Sequence, residues 1–373
     1  MQPPAARRWR TVTVVGVAVV MLVAVGMVAW RVTATARTVP VRAGLEEVFT
    51  GLPAELRPPA QVADLPTDRG VGRGALIYHP GIGAGGFEPE SRTFEQHDIY
   101  LVTGSGEHFR VGRTPSNVGP RNLSLSPDGR WLGAKRDGHW RVRDLSGVAE
   151  YEVPGGYELG LWSTDARSLL LAKPGVDGRA FTMMALPTGV ISPLEVRTHA
   201  VATEVAFIGG RELAVFEPNP WVDPSAPQEL NITLKDVVTG APRTLPVIAP
   251  GQMKPGEVLG PLMVLWHAGG SPPSIWMEVG RADLAPTGGL VAPSVALLGV
   301  DVASGGSIAR IEMRSADADE QQLCLGVVAD GVVLQRWTAT STELIVVDPR
   351  RNTRRVVTTL PKFVAVLVPG AKM

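Results

Sequence analysis

The sequence predicts an all-β chain, a six-bladed β-propeller, with an N-terminal transmembrane helix in front of it. Three observations predict this. A tight-turn cue recurs six times down the chain. A second cue, strand–turn–strand, stands upstream of several copies of the first. A long uncharged apolar run lies near the N-terminus. Composition agrees: charged residues are 19% of the chain, Lys+Arg balances Asp+Glu at 36 each, and there is one Cys. Such a chain is too apolar and too weakly charged to be disordered. It has no disulfide framework, no Cys-rich zinc module and no basic block for nucleic acid. The wealth of Ala, Val, Gly, Pro and Arg reads as a GC-rich, bacterial coding bias.

Taken in order, residues 1–10 form a short head carrying Arg7, Arg8 and Arg10. Residues 11–30 hold no charge and are flanked by Trp9 and Trp30. As a helix this run spans about 30 Å, the hydrocarbon thickness of a bilayer, and lipid makes the helix nearly obligatory. Arg31, Arg37 and Arg42 follow it, so charge is nearly even across the run. Orientation therefore rests on the bulk of the chain, expected outside the cytoplasm with the N-terminus inside. The alternative is a cleaved signal peptide, since Ala34-Thr35-Ala36 fits a small-x-small site, although the apolar core exceeds the usual length of about 7–15 residues. Residues 31–70 contain Pro40, Pro53, Pro58, Pro59 and Pro66 and are expected to form a linker, with a helical turn at Leu45–Phe49.

The propeller is expected over 71–370. The hairpin cue centres on Gly104, Gly147, Gly189, Gly240, Gly305 and Asn352, residue types that accept positive φ. The clearest copy of the second cue is Leu123-Ser124-Leu125-Ser126-Pro127-Asp128-Gly129-Arg130-Trp131-Leu132. Weaker copies are Leu161–Arg167, Phe207–Arg211 and Val327–Gly331. Two hairpins per unit make four strands, at a period of about 40–45 residues where no insert interrupts. Blades two to six are expected at 121–153, 157–196, 203–247, 258–314 and 322–360. Blade one has only Ala75–His79, Ile99–Val102 and Glu107–Val111. The leftover strand Phe363–Val368 is expected to complete it as the innermost strand and close the ring. Seven blades follow only if 40–70 hides strands.

Ser126-Pro127-Asp128-Gly129-Arg130 with Trp131-Leu132 resembles the repeats of TolB-type and WD-repeat propellers. His139-Trp140 and Arg143-Asp144 only echo the Trp-Asp pair, so the TolB style is the better match. The resemblance covers roughly 70–370 and implies a fold; propellers host many unrelated activities.

Candidate sites are few. Gly81-Ile82-Gly83-Ala84-Gly85-Gly86 matches a phosphate-loop pattern, but Phe87-Glu88-Pro89 follows where a helix is required, so it reads as a loop. His79, His97, His108, His139, His199 and His267 contain no metal-spaced pair, and no metal or cofactor is expected. Cys324 falls in an apolar strand pattern and reads as packing. No nucleophile elbow occurs. Trp131, Trp140, Trp162 and Trp337 read as inter-blade packing. The insert Glu217–Pro224 puts Trp221 and Asp223 in a Pro-stiffened loop, where Trp221 is a recognition anchor or a lid on its own blade. A second insert, about 251–293, carries Trp266 and Trp276 and is expected to cover one face. Arg350, Arg351, Arg354 and Arg355 cluster on the last hairpin, as a solvated turn or a contact for anionic lipid or wall polymer.

The sequence thus points to a single-pass membrane protein. Its partners are the lipid bilayer, through 11–30, and an envelope protein or polymer bound to a non-enzymatic module. One alternative is a hydrolase or lyase working at the axial mouth. Another is an extracellular sensor that needs a membrane partner.

Overall fold

The computed structural model describes residues 49, 52–80, 96–115, 122–200, 202–216, 230–248, 253–259, 265–268, 274–281, 294–313, 322–328, 331–349, 351, 353–362 and 364–371. The apolar run 11–30 lies outside them. Among the described residues no helix is long and apolar enough to cross a membrane.

The described strands form six sheets, antiparallel throughout except where β1 joins blade one. Blade one holds β1 (Ala63–Asp64), β2 (Gly74–Pro80), β3 (Gln96–Thr103) and β4 (His108–Pro115). Blade two holds β5 (Leu123–Leu125), β6 (Trp131–Arg136), β7 (His139–Asp144) and β8 (Glu150–Glu152). Blade three holds β9 (Glu158–Trp162), β10 (Ser168–Gly175), β11 (Gly178–Ala185) and β12 (Val190–Thr198). Blade four holds β13 (Thr203–Ile208), β14 (Glu212–Phe216), β15 (Leu230–Asp236) and β16 (Pro242–Ile248). Blade five holds β17 (Glu257–Leu259), β18 (Leu265–Ala268), β19 (Ser274–Arg281), β20 (Ser294–Asp301) and β21 (Ser307–Glu312). Blade six holds β22 (Gln322–Val328), β23 (Gly331–Trp337), β24 (Ser341–Asp348) and β25 (Thr353–Pro361).

The last strand, β26 (Val364–Leu367), joins blade one in the order β1-β4-β3-β2-β26. Its register sets Ile77 against Leu367 and His79 against Ala365. The expected closure is therefore present: the end of the chain supplies the inner strand of the first blade. The inner strands are the ones that meet around the ring. β9 touches β13, β13 touches β18 and β18 touches β22. The ends of β9 and β13 run parallel through a Ser163–Phe207 bridge. Gly370 donates its N–H to the Leu125 carbonyl at 3.0 Å, which carries the ring from blade one to blade two.

The cores lie between blades, as the alternation of each strand requires. Trp131, Trp140 and Val142 of blade two pack with Trp162, Leu169 and Met184 of blade three. Trp276, Leu297 and Ile311 of blade five pack with Cys324, Val332 and Ile345 of blade six. Trp276 is only 2% exposed in β19, so the stretch 251–293 is not simply a cover for one face. Much of it is the inner half of blade five, with an inner edge split into β17 and β18.

The described part of the expected linker is also bound to the ring. Leu56 N–H donates to the Thr359 carbonyl at 2.7 Å, and Thr359 N–H to the Ala54 carbonyl at 2.9 Å, on the outer strand of blade six. β1 then pairs in parallel with β4, on the outer edge of blade one. Val71 and Gly72 donate to the Leu145 carbonyl in blade two. Phe49, Leu52, Leu56, Leu65 and Val71 are buried in the core shared by blades six, one and two. The strap was hidden in sequence because its apolar residues follow neither helical nor strand spacing. Proline there is compatible with edge pairing that leaves an N–H unused.

Candidate functional site

The two ends of the ring differ. At the end where the inner strands finish, the described hairpin turns within blades are at most five residues long. They are tied down by side chains. Ser126 Oγ donates to Asp128 Oδ1 at 2.6 Å, and Trp131 N–H donates to Ser126 Oγ at 2.8 Å. Blade three repeats both bonds with Ser163, Asp165 and Ser168 at the same 2.6 and 2.8 Å. Gly129 has φ +70°, and a Cβ there would come within 2.2 Å of the Gly74 carbonyl, so only glycine fits this contact between blades. Ala166 holds the matching place in blade three at φ 56°.

An arginine from one turn locks an aspartate of the next. Arg130 binds Asp144 at 2.6 Å and Arg211 binds Asp236 at 2.8 Å. Burial pushes the Asp144 carboxyl up, but bonds from Arg130 and the Ser146 N–H outweigh it and hold Asp144 below the usual carboxylate range. Asp236 is held well below that range by Arg211 and by backbone N–H groups of its turn. Gly189, Gly240 and Gly305 take the positive φ expected of the cue; in blade one Gly106 takes it instead of Gly104, and Gly147 closes a tighter turn without it.

At the other end, the segments 81–95, 217–229 and 282–293 join the second and third strands of blades one, four and five. These segments lie outside the described residues, as do Trp221, Asp223 and Arg350. The strands that bracket 217–229 meet it at this second end. Arg351 sits at the first end, between β24 and β25, with its N–H on Asp348 Oδ1 at 3.1 Å and its side chain exposed. Of the predicted binding residues only Arg351 is placed, at the first end. Arg354 of the basic cluster donates to the Glu312 carbonyl.

Three glutamates stand at the starts of consecutive inner strands, where an axial site would draw on them. Each is engaged. Glu158 accepts from Trp140 Nε1 at 2.6 Å and Lys135 Nζ at 3.0 Å, and the tryptophan bond leads in holding its carboxyl down. Glu204 accepts from Arg179 and Thr198. Glu257 accepts from Arg310 Nη2 at 2.5 Å and from the Lys254 N–H at 2.7 Å. Among the described residues no group of three His, Cys, Asp or Glu is placed to hold a metal ion.

Among the described residues, buried polar side-chain atoms without partners occur in blades one, two, five and six, with four of the nine in blade one. His79 is fully buried and neither ring nitrogen has a hydrogen-bond partner. Its ring meets His97 edge-on, with centroids 5.8 Å apart and planes at 82°. Burial, then the neighbouring His97, lowers its pKa to about 4. On the opposite face Tyr78 stacks on Tyr100 at 5.1 Å and meets His108 edge-on at 6.0 Å. The Tyr78 hydroxyl and His108 Nε2 are buried without partners, and burial raises the first pKa and lowers the second. In blade five, Glu278 bonds Ser294 at 2.9 Å through one oxygen while the other is unpartnered, and burial raises its pKa. Burial, followed by the Glu278 charge, raises the thiol of Cys324, which fits the expected packing role.

The pairing of His79 with His97 was missed in sequence because they are distant along the chain. Aligning their two strands as a hairpin sets Tyr78 opposite Tyr100 and leaves the histidines diagonal on one face.

No family model and no curated protein matches the chain. Its fold is similar to that of a TolB from Acinetobacter baumannii, at 11% identity and TM-score 0.43 over 78% of this chain and 67% of that one. It is similar to an oligogalacturonate lyase in complex with manganese, at 14% identity and TM-score 0.38 over 70% of each. It is also similar to oligopeptidase B from Leishmania major, at 10% identity and TM-score 0.38 over 73% of this chain and 38% of that one. TolB structures thus stand among the folds to which it is similar. The propeller itself rests on the strand order above.

Proposed function

We propose that the chain is a membrane-held, extracytoplasmic binding module. The end of its ring that carries 81–95, 217–229 and 282–293 engages an envelope partner. One observation carries this reading: the long connections between paired strands leave from one end, while the turns of the other end are short and pinned by Ser–Asp and Arg–Asp bonds. A rigid scaffold that presents variable loops on one side is the usual arrangement for recognition. Trp221, between Pro220 and Pro224, is the proposed anchor, with Asp223 beside it. The engaged states of Glu158, Glu204 and Glu257 favour this reading over hydrolysis at the axis, because general acid–base work needs a carboxylate free to reach substrate. The uncharged run 11–30 supports the membrane attachment.

The test is photo-crosslinking in cells that express the full chain, with a photoreactive residue at Trp221 or at Val238, which is 64% exposed on the pinned end. The expected result is a discrete adduct from position 221 and none from 238. Adducts from 238 alone, or none from 221, contradict the reading.

A further inference from the structure

We infer that His79 and His97 form a binding site for a late first-row divalent cation, such as Zn²⁺ or Cu²⁺. This goes beyond the partner-binding role and does not depend on it.

The site starts from an anomaly. An imidazole with both nitrogens buried and unpaired is costly, and such groups in a folded chain call for an explanation. His79 is fully buried and has no partner at either nitrogen. Several buried side-chain N–H groups elsewhere in the ring are served: Trp140 has Glu158, Trp162 has Ser124 and Gln335 has the Val364 carbonyl. A second imidazole, His97, packs against the His79 ring.

Edge-on packing of two rings is one way to fill this space. A shared cation also fits it. Two imidazoles on one tetrahedral ion, with metal–nitrogen distances of about 2.0–2.1 Å, hold their ring centroids about 5 Å apart. The observed separation, 5.8 Å, is close to that value. The support around the pair suits ligation. Thr114 is the register partner of His97 on β4. The neighbouring Asp98 is taken by Arg113 at 2.7 Å and Arg110 at 3.7 Å. It therefore adds no oxygen ligand that would favour Ca²⁺ or Mg²⁺. Two nitrogen ligands leave coordination positions open to water or to a donor atom of a bound molecule.

The test is a competition titration of the full chain with Zn²⁺ against a chromophoric chelator, repeated with Cu²⁺ and electron paramagnetic resonance. The His97→Ala variant removes a half-buried ligand with little risk to the fold. His139→Ala removes an exposed histidine of blade two as the control. The inference expects one equivalent of metal, nitrogen coupling in the Cu²⁺ spectrum, and an affinity lowered about tenfold or more by His97→Ala but not by His139→Ala. Absence of one-equivalent binding, or a smaller loss in His97→Ala, or an equal loss in His139→Ala, overturns it.

Discussion

Blade two and blade one share a four-strand plan and treat their polar atoms differently. In blade two the Ser126, Asp128, Arg130 and Asp144 side chains all find partners within or next to their turns, and Trp140 reaches a carboxylate of blade three. In blade one the two termini meet. β26 lines the inner edge and β1 the outer edge, and the chain between them carries Tyr78, His79 and His108 with buried atoms left over. The repeated blade spends its polar groups on holding its own shape. The seam is held by backbone pairing from both ends of the chain, which leaves side chains there free for other work. That difference makes blade one the place to look for ligands, and it makes the seam the place where the ring is most sensitive to damage.

The largest expected effect follows from removing the seam. A chain ending at Pro361 lacks β26 and exposes both the inner edge of β2 and the apolar surface under Val364, Leu367 and Val368. It is expected to lose cooperative thermal unfolding, as read by circular dichroism, and to aggregate. A cooperative, monomeric truncated chain would make blade one as self-sufficient as blade two. A smaller effect is expected in the strap. Leu56→Ala empties a fully buried site between blades six and one and is expected to cost about 2–5 kcal/mol in denaturant unfolding. A cost near that of a surface change would mean that the strap only lies on the ring.

The smallest effects belong to the pinned turns. Arg130→Ala leaves the buried Asp144 carboxylate without its main partner and is expected to cost about 1–3 kcal/mol. Arg211→Ala, at a more exposed pair, is expected to cost less. Both aspartates titrate below their unfolded value of about 4. Their contribution is therefore complete above that pH and is lost as pH falls through the lower folded values. The stability difference between wild type and Arg130→Ala should thus shrink on acidification below about pH 4. A difference that grows there would contradict the lock.

How much of this was legible depends on where each bond lies in the chain. The turn of blade two was readable because Ser126, Asp128 and Gly129 are neighbours in sequence and each has a local reason to be there. Even the degenerate copy at Ser163 and Asp165 kept the same bonds. The closing strand was readable because an apolar run was left over and blade one lacked one. The strap was not, since its bonds are to strands hundreds of residues away, as Thr358 Oγ1 donating to the Pro53 carbonyl at 2.7 Å shows. The second insert misled because Pro and Gly within it masked the inner strands of blade five. The histidine pair escaped because its spacing is that of a hairpin with a long connection, not of a helix or a short loop. Of the predicted binding residues, only Arg351 falls among the described ones, at the pinned end.

Hydrogen exchange of the backbone amides in 364–367 tests the closed ring most directly. In the full chain, the amides of this edge strand that point at β2 should exchange as slowly as those of β10 and β11 in blade three. Exchange at the rate of free chain, while blade three stays protected, would mean that the ring is open where the two termini are held to join.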